Sequence, residues 1–163
     1  MHNDRDPRND RDPTAPWQDD DHAPTIRPPI PRSGVAVVGV GGVVGTALRY
    51  QLGVWFPQAV DGWPVTTFLI NTTGALLLGL LLEALVRLGP ESPWRRWIRL
   101  GLGTGMLGSF TTYSTLAVDA DLLLRAHQWW AAASYLVGTV LAGLAAAAAG
   151  IALGARVRGK AAI

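Results

Sequence analysis

The chain has 163 residues, 49% of them hydrophobic and 16% charged, with a formal net charge of +2, 19 glycines, a single lysine and no cysteine. So apolar a composition excludes an ordinary soluble domain, and the missing cysteines exclude a disulfide framework or a thiol metal site.

Residues 1–33 are a different material from the rest. They carry seven aspartates, five arginines and many prolines but few large apolar groups. Such a segment cannot bury enough surface to offset the entropy of ordering, which predicts a disordered hydrophilic tail. No apolar run precedes Val35, so the tail does not read as a secretory signal.

Four apolar blocks follow, at residues 35–56, 65–88, 98–124 and 130–153. Each is near the ~20 residues that a bilayer-spanning helix needs. Residues 34–154 therefore read as an all-α membrane protein with four transmembrane helices, and 155–163 as a basic C-terminal tail. Six of the seven tryptophans (Trp55, Trp63, Trp94, Trp97, Trp129, Trp130) fall at block ends, where amphipathic rings favour the headgroup level. No internal repeat aligns the blocks.

Basic residues set the expected orientation. With four spans, Arg27, Arg32, Arg87, Arg95, Arg96, Arg99, Arg156, Arg158 and Lys160 share one side, against Arg49 and Arg125 on the other. That asymmetry predicts both termini in the cytoplasm. The basic loop "WRRWIR" reads as a headgroup contact and not as a nucleic-acid patch.

The first block contains "GVGGVVG", most simply a helix-packing face, and toward its end carries Arg49, an interfacial anchor or an anion-attracting vestibule group. The second places Asn71 about two turns in, followed by Thr72 and Thr73; the asparagine reads equally as interhelical glue or as a donor lining a path. In the third, ten of the nineteen residues from Leu100 to Val118 are Gly, Ser or Thr. Glycine weakens a helix and hydroxyls compete for its backbone, which predicts a break between Gly108 and Thr115 at mid-membrane. Irregular backbone at that depth survives only where protein or a cavity surrounds it. Small residues also let helices pack closely, but six hydroxyls with four glycines favour a site. In the fourth block, Tyr135 and Thr139 share one helix face.

These polar groups are hydrogen-bond donors, and no carboxylate sits at the centre of a span; Glu83 and Asp119 lie toward span ends. A donor-rich, acid-poor path favours an anion.

"GGVVGTALRY", "TFLINTTGALLLG" and "GMLGSFTTYSTLAVD", in that order, resemble the three signature stretches of the Fluc/CrcB fluoride channels. The last helix, with Tyr135, Thr139 and Gly143, is similar to that family's fourth. The resemblance covers about residues 34–154 and implies a dimer of antiparallel four-helix subunits that passively exports fluoride from a bacterial cell across the plasma membrane. It implies a fluoride path lined by Asn71, Ser114, Thr115, Tyr135 and Thr139, with Arg49 in the vestibule. It further implies a structural, non-transported sodium ion at the subunit interface, held by backbone carbonyls at Gly108 and Thr111. Where the family carries two phenylalanines three apart along the path, this chain has Tyr113 and Leu116, and Ser109 replaces the second glycine of a pair. Tyrosine keeps a positive ring edge; leucine has none.

A one-way insertion cannot make an antiparallel dimer of identical chains. The charge asymmetry and Leu116 thus raise a heterodimer with an oppositely oriented paralogue as the alternative to a homodimer. Other classes fit less well. A small four-helix drug exporter needs a carboxylate inside its first span, and this span has none. A noncatalytic assembly subunit needs no donor track. The histidines (His2, His22, His127) lie in the tail or a loop, so no catalytic nucleophile and base can be assembled.

Overall fold

The computed structural model describes residues 32–58 and 62–157, and all their regular structure is helical. In chain order the elements are α1 (Arg32–Trp55), α2 (Val65–Arg87), α3 (Pro93–Ile98), a π-helical stretch (Arg99–Leu107), the single turn α4 (Gly108–Phe110), α5 (Tyr113–Arg125) and α6 (Trp129–Gly154). Helices α1, α2 and α6 are long and apolar enough to cross a membrane. At ~1.5 Å per residue they reach about 35 to 39 Å, against a hydrocarbon core of ~30 Å.

These three match the first, second and fourth apolar blocks to within a turn. Residues 32 and 33, expected in the tail, already belong to α1. The rest of that tail and residues 158–163 lie outside the described residues.

The third block, expected as a span broken once at mid-membrane, is divided further, into four pieces. Helical backbone starts at Pro93, before the apolar run, because proline at the first helical position gives up an N–H that has no helical partner anyway. Next comes the π-helical RLGLGTGML, where glycines at 101, 103 and 105 hold the α-helical ladder weakly. The anticipated break follows at Thr111 and Thr112, both extended (ψ 153 and ψ 121). No single piece is long enough to span, so three helices and one broken helical run make up the fold.

Small residues set the packing. A Cβ added at Gly150 would run into Leu76 O, and one at Gly79 into Ala147 O, so α2 and α6 approach backbone to backbone. The α1 contact with the π stretch is built alike: a Cβ at Gly45 would meet Met106 O, and one at Gly41 would meet Gly101 O. Lipid tails are as apolar as side chains, so close van der Waals approach, not hydrophobicity, favours such pairs. The "GVGGVVG" run is accordingly a packing face at Gly41 and Gly45, whereas Gly39 has nothing within 4 Å.

The core is a cluster of Leu116, Ala120, Leu123, Ala132 and Tyr135, backed by Trp63, Phe68 and Ala131. Trp63 presents its ring edge-on to Phe68 and Tyr135, with centroids 5.0 and 5.3 Å away. Around this core many large apolar side chains stay exposed, among them Val40, Val43, Leu141 and Leu144. Such a surface suits lipid or another subunit and not water.

Candidate functional site

The break is closed by one side chain. Asn71, two turns into α2, donates Nδ2 to Thr112 O at 3.0 Å and accepts the Thr112 N–H on Oδ1 at 2.8 Å. A carboxamide matches a peptide unit, so it pairs with both backbone groups of Thr112 at the interruption. Thr112 then caps α5: its Oγ1 accepts the Thr115 N–H at 3.1 Å and donates to Thr115 Oγ1 at 3.0 Å, with Ser114 Oγ 3.2 Å away.

These bonds draw two donors away from the helical ladder. In an unbroken helix Thr112 N–H would reach Gly108 O and Thr115 N–H would reach Thr111 O. Here those donors go to Asn71 and to Thr112 Oγ1. Gly108 and Thr111 are the two positions where the family resemblance expects sodium-binding carbonyls. Hard cations take oxygen ligands, so this backbone fits such an ion. Among the described residues no group of three or more His, Cys, Asp or Glu side chains gathers to hold a metal. Thr111 adds a hydroxyl bond to Leu107 O at 3.1 Å, and its methyl packs against Gly74.

A second polar cluster lies toward the α1–α2 connection. Tyr135, fully buried, donates its hydroxyl to Asp119 Oδ2 at 3.1 Å. Gln58 donates Nε2 to Thr67 Oγ1 at 2.7 Å and, more weakly, to Asp119 Oδ2 at 3.4 Å. Thr139, also buried, donates to Tyr135 O at 2.6 Å on its own helix. Tyr135 and Thr139 are thus on one buried face, as their spacing implied, but both hydroxyls already have acceptors. Asp119, toward a span end in the sequence, is buried. Glu83 sits at the other end of its helix, paired with Arg87 at 2.7 Å.

The remaining expected residues are scattered. Tyr113 is 82% exposed while Leu116 is in the core. Tyr113 is the first residue of α5, and although residues three apart in a helix are neighbours on its surface, only Leu116 reaches the core. Ser114 is exposed, Thr115 partly buried, and Arg49 half-buried near the end of α1. Thr72 Oγ1, beside Asn71 in sequence, is buried without a partner among the described residues. Sequence reasoning missed Thr112, although threonine is a residue type favoured at a helix start. It also missed Gln58, which carries no local signal.

Apolar helices long enough to span, enclosing a polar break held by a side-chain amide, define a multi-pass membrane protein. A family model described as "CrcB-like protein, Camphor Resistance (CrcB)" matches residues 36–151, and the chain belongs to this family. The chain is 48% identical over 121 residues to fluoride-specific ion channel FluC 2 of Leifsonia xyli subsp. xyli, covering 74% of this chain and 83% of that one. It is 45% identical over 124 residues to FluC 3 of Streptomyces avermitilis (76% of this chain, 59% of that one). With the FluC of Chloroflexus aurantiacus it shares 40% over 124 residues (75% and 95%).

Proposed function

We propose that this chain is a fluoride-specific channel subunit of the bacterial plasma membrane, letting fluoride leave the cytoplasm passively. One observation carries the reading. The Asn71–Thr112 clamp lies at the break of a chain 40% to 48% identical to proteins named fluoride-specific ion channels. Fluoride is small and strongly hydrated, so a selective pore replaces its water with closely placed donors. The second Nδ2 proton of Asn71, the unpartnered Thr72 hydroxyl and the hydroxyls of Ser114 and Thr115 supply donors along this seam, and Tyr113 contributes a ring edge.

The broken run from Pro93 to Arg125 serves as the fourth crossing, and both termini face the cytoplasm. The charge distribution supports this: among the described residues Arg32, Arg87, Arg95, Arg96, Arg99 and Arg156 oppose Arg49 and Arg125. Two antiparallel subunits meet through the exposed apolar faces. A sodium ion at their interface, held by Gly108 and Thr111 carbonyls, neutralises the negative ends of the broken helix. Leu116 lies in the core and Tyr113 outside it, so within one subunit the two positions do not form a paired aromatic path. That favours a heterodimer with an oppositely oriented paralogue, with one pore stronger than the other.

Fluoride efflux from liposomes containing this chain alone, read with an electrode in sodium and compared with chloride, tests the reading. Selective fluoride efflux is expected from a homodimer; from a heterodimer it appears only when the paralogue is added. Equal chloride efflux, or none under either condition, defeats the proposal.

A further inference from the structure

We propose that the α2–α3 connection holds the phosphate of an anionic membrane phospholipid, bound by Arg96 and Ser92. Residues 87–99 contain four arginines and one glutamate, a net charge of +3 (4 − 1). Three of the four arginines are engaged within the chain. Arg87 pairs with Glu83 at 2.7 Å and Arg99 with Glu91 at 2.6 Å; Arg95 donates Nη1 to Pro90 O at 2.8 Å and lies 5.4 Å over the Trp94 ring. Arg96 alone has neither an ion pair nor a side-chain hydrogen bond among the described residues. It lines a cavity of about 300 Å³ with Glu91, Ser92, Pro93, Trp97 and Leu100.

Two features of this cavity select its occupant. Ser92 Oγ is buried with no partner and does not cap the following helix, so it leaves a hydrogen-bonding group to be satisfied. A planar guanidinium beside a free hydroxyl matches the oxygens of a phosphate. Among the described residues of the wall the one carboxylate, Glu91, is paired with Arg99 at 2.6 Å, which lessens its repulsion of an anion. The rest of the wall is apolar, formed by Trp97 and Leu100, and Trp94 beside it is 51% exposed. A free phosphate ion gains nothing from such a wall. A lipid does, because its glycerol and first methylenes continue from the phosphate into apolar surroundings, at the depth where tryptophans gather. Basic pockets between membrane helices take anionic headgroups by this chemistry. The site rests on the chain being a multi-pass membrane protein and is independent of which ion it conducts.

The test is lipid retention by the purified full chain, delipidated in detergent, supplied with mixed phosphatidylglycerol and phosphatidylcholine, and counted by native mass spectrometry. Phosphatidylglycerol should be retained selectively and should resist excess inorganic phosphate. Arg96→Gln should weaken it by at least about tenfold, the loss of a charge-assisted hydrogen bond, whereas Arg156→Gln, of equal charge change, should not. Ser92→Ala, which leaves the charge untouched, should weaken it by a few-fold and serves if Arg96→Gln does not fold. Equal retention of phosphatidylcholine, unchanged retention in the variants, or displacement by inorganic phosphate would each overturn the proposal, the last by making this a site for a soluble anion.

Discussion

Asn71 and Thr112, 41 residues apart in the chain, are joined by two hydrogen bonds of 3.0 and 2.8 Å, so the side chain of one helix completes the backbone of another. Truncating Asn71 to alanine strands a buried N–H and a buried C=O, each costing about 1–3 kcal/mol. We expect Asn71→Ala to lower the thermal unfolding midpoint in detergent and to abolish fluoride efflux. Asn71→Asp keeps the acceptor for Thr112 N–H and should retain more stability than alanine. A midpoint unchanged in Asn71→Ala would show that the clamp is dispensable.

Thr112 also caps α5 through its hydroxyl. Thr112→Ala should destabilise the protein by about 0.5–2 kcal/mol, and Thr112→Ser by much less, since serine supplies the same oxygen. Guanidinium unfolding in detergent distinguishes the two; equal losses would place the effect in the methyl group.

Tyr135 and Asp119 form a buried pair whose third member is Gln58. Removing the hydroxyl with Tyr135→Phe leaves a buried carboxylate with, among the described residues, only the weak Gln58 contact, a loss of about 1.5–3 kcal/mol for a bond to a charged group. With Asp119→Asn as the partner substitution, a double-mutant cycle should give a coupling above about 0.5 kcal/mol. Additive effects would mean that the two side chains merely sit near each other.

Gly45 touches Met106 O, and Gly53, on the same helix, has nothing within 4 Å. Gly45→Val should therefore force α1 away from the π stretch and cost more than about 1–3 kcal/mol, visible as loss of folded protein by size-exclusion chromatography. Gly53→Ala should be tolerated. Similar behaviour of both variants would contradict the backbone-to-backbone contact.

Replacing sodium with a large organic cation should reduce fluoride efflux reversibly, if the Gly108 and Thr111 carbonyls hold the ion between subunits. Efflux indifferent to sodium would remove the ion from the proposed function without touching the anion path.

Hydrophobic length and polarity are local properties, and they were enough to place α1, α2 and α6, to locate the break within a few residues, and to draw attention to Asn71; Gly108 and Thr111 came only from the family resemblance. Glycine and hydroxyl crowding between residues 100 and 118 announces weak helix because each residue's backbone preference acts on its own turn. Composition showed that helix is weak there but not that Arg99–Leu107 takes a π-helical form, with α1 packed against Gly101 and Gly105. Nor could it say that the Asn71 amide is occupied by Thr112, or that Gln58 and Asp119, 61 residues apart, close around Tyr135. Those pairings follow from helix packing: a buried polar group must find its partner wherever the fold brings one within reach. The sequence by itself determined which segments suit lipid and where the backbone yields; only the tertiary structure decided which donors are taken within the chain, because that depends on which helices are packed together.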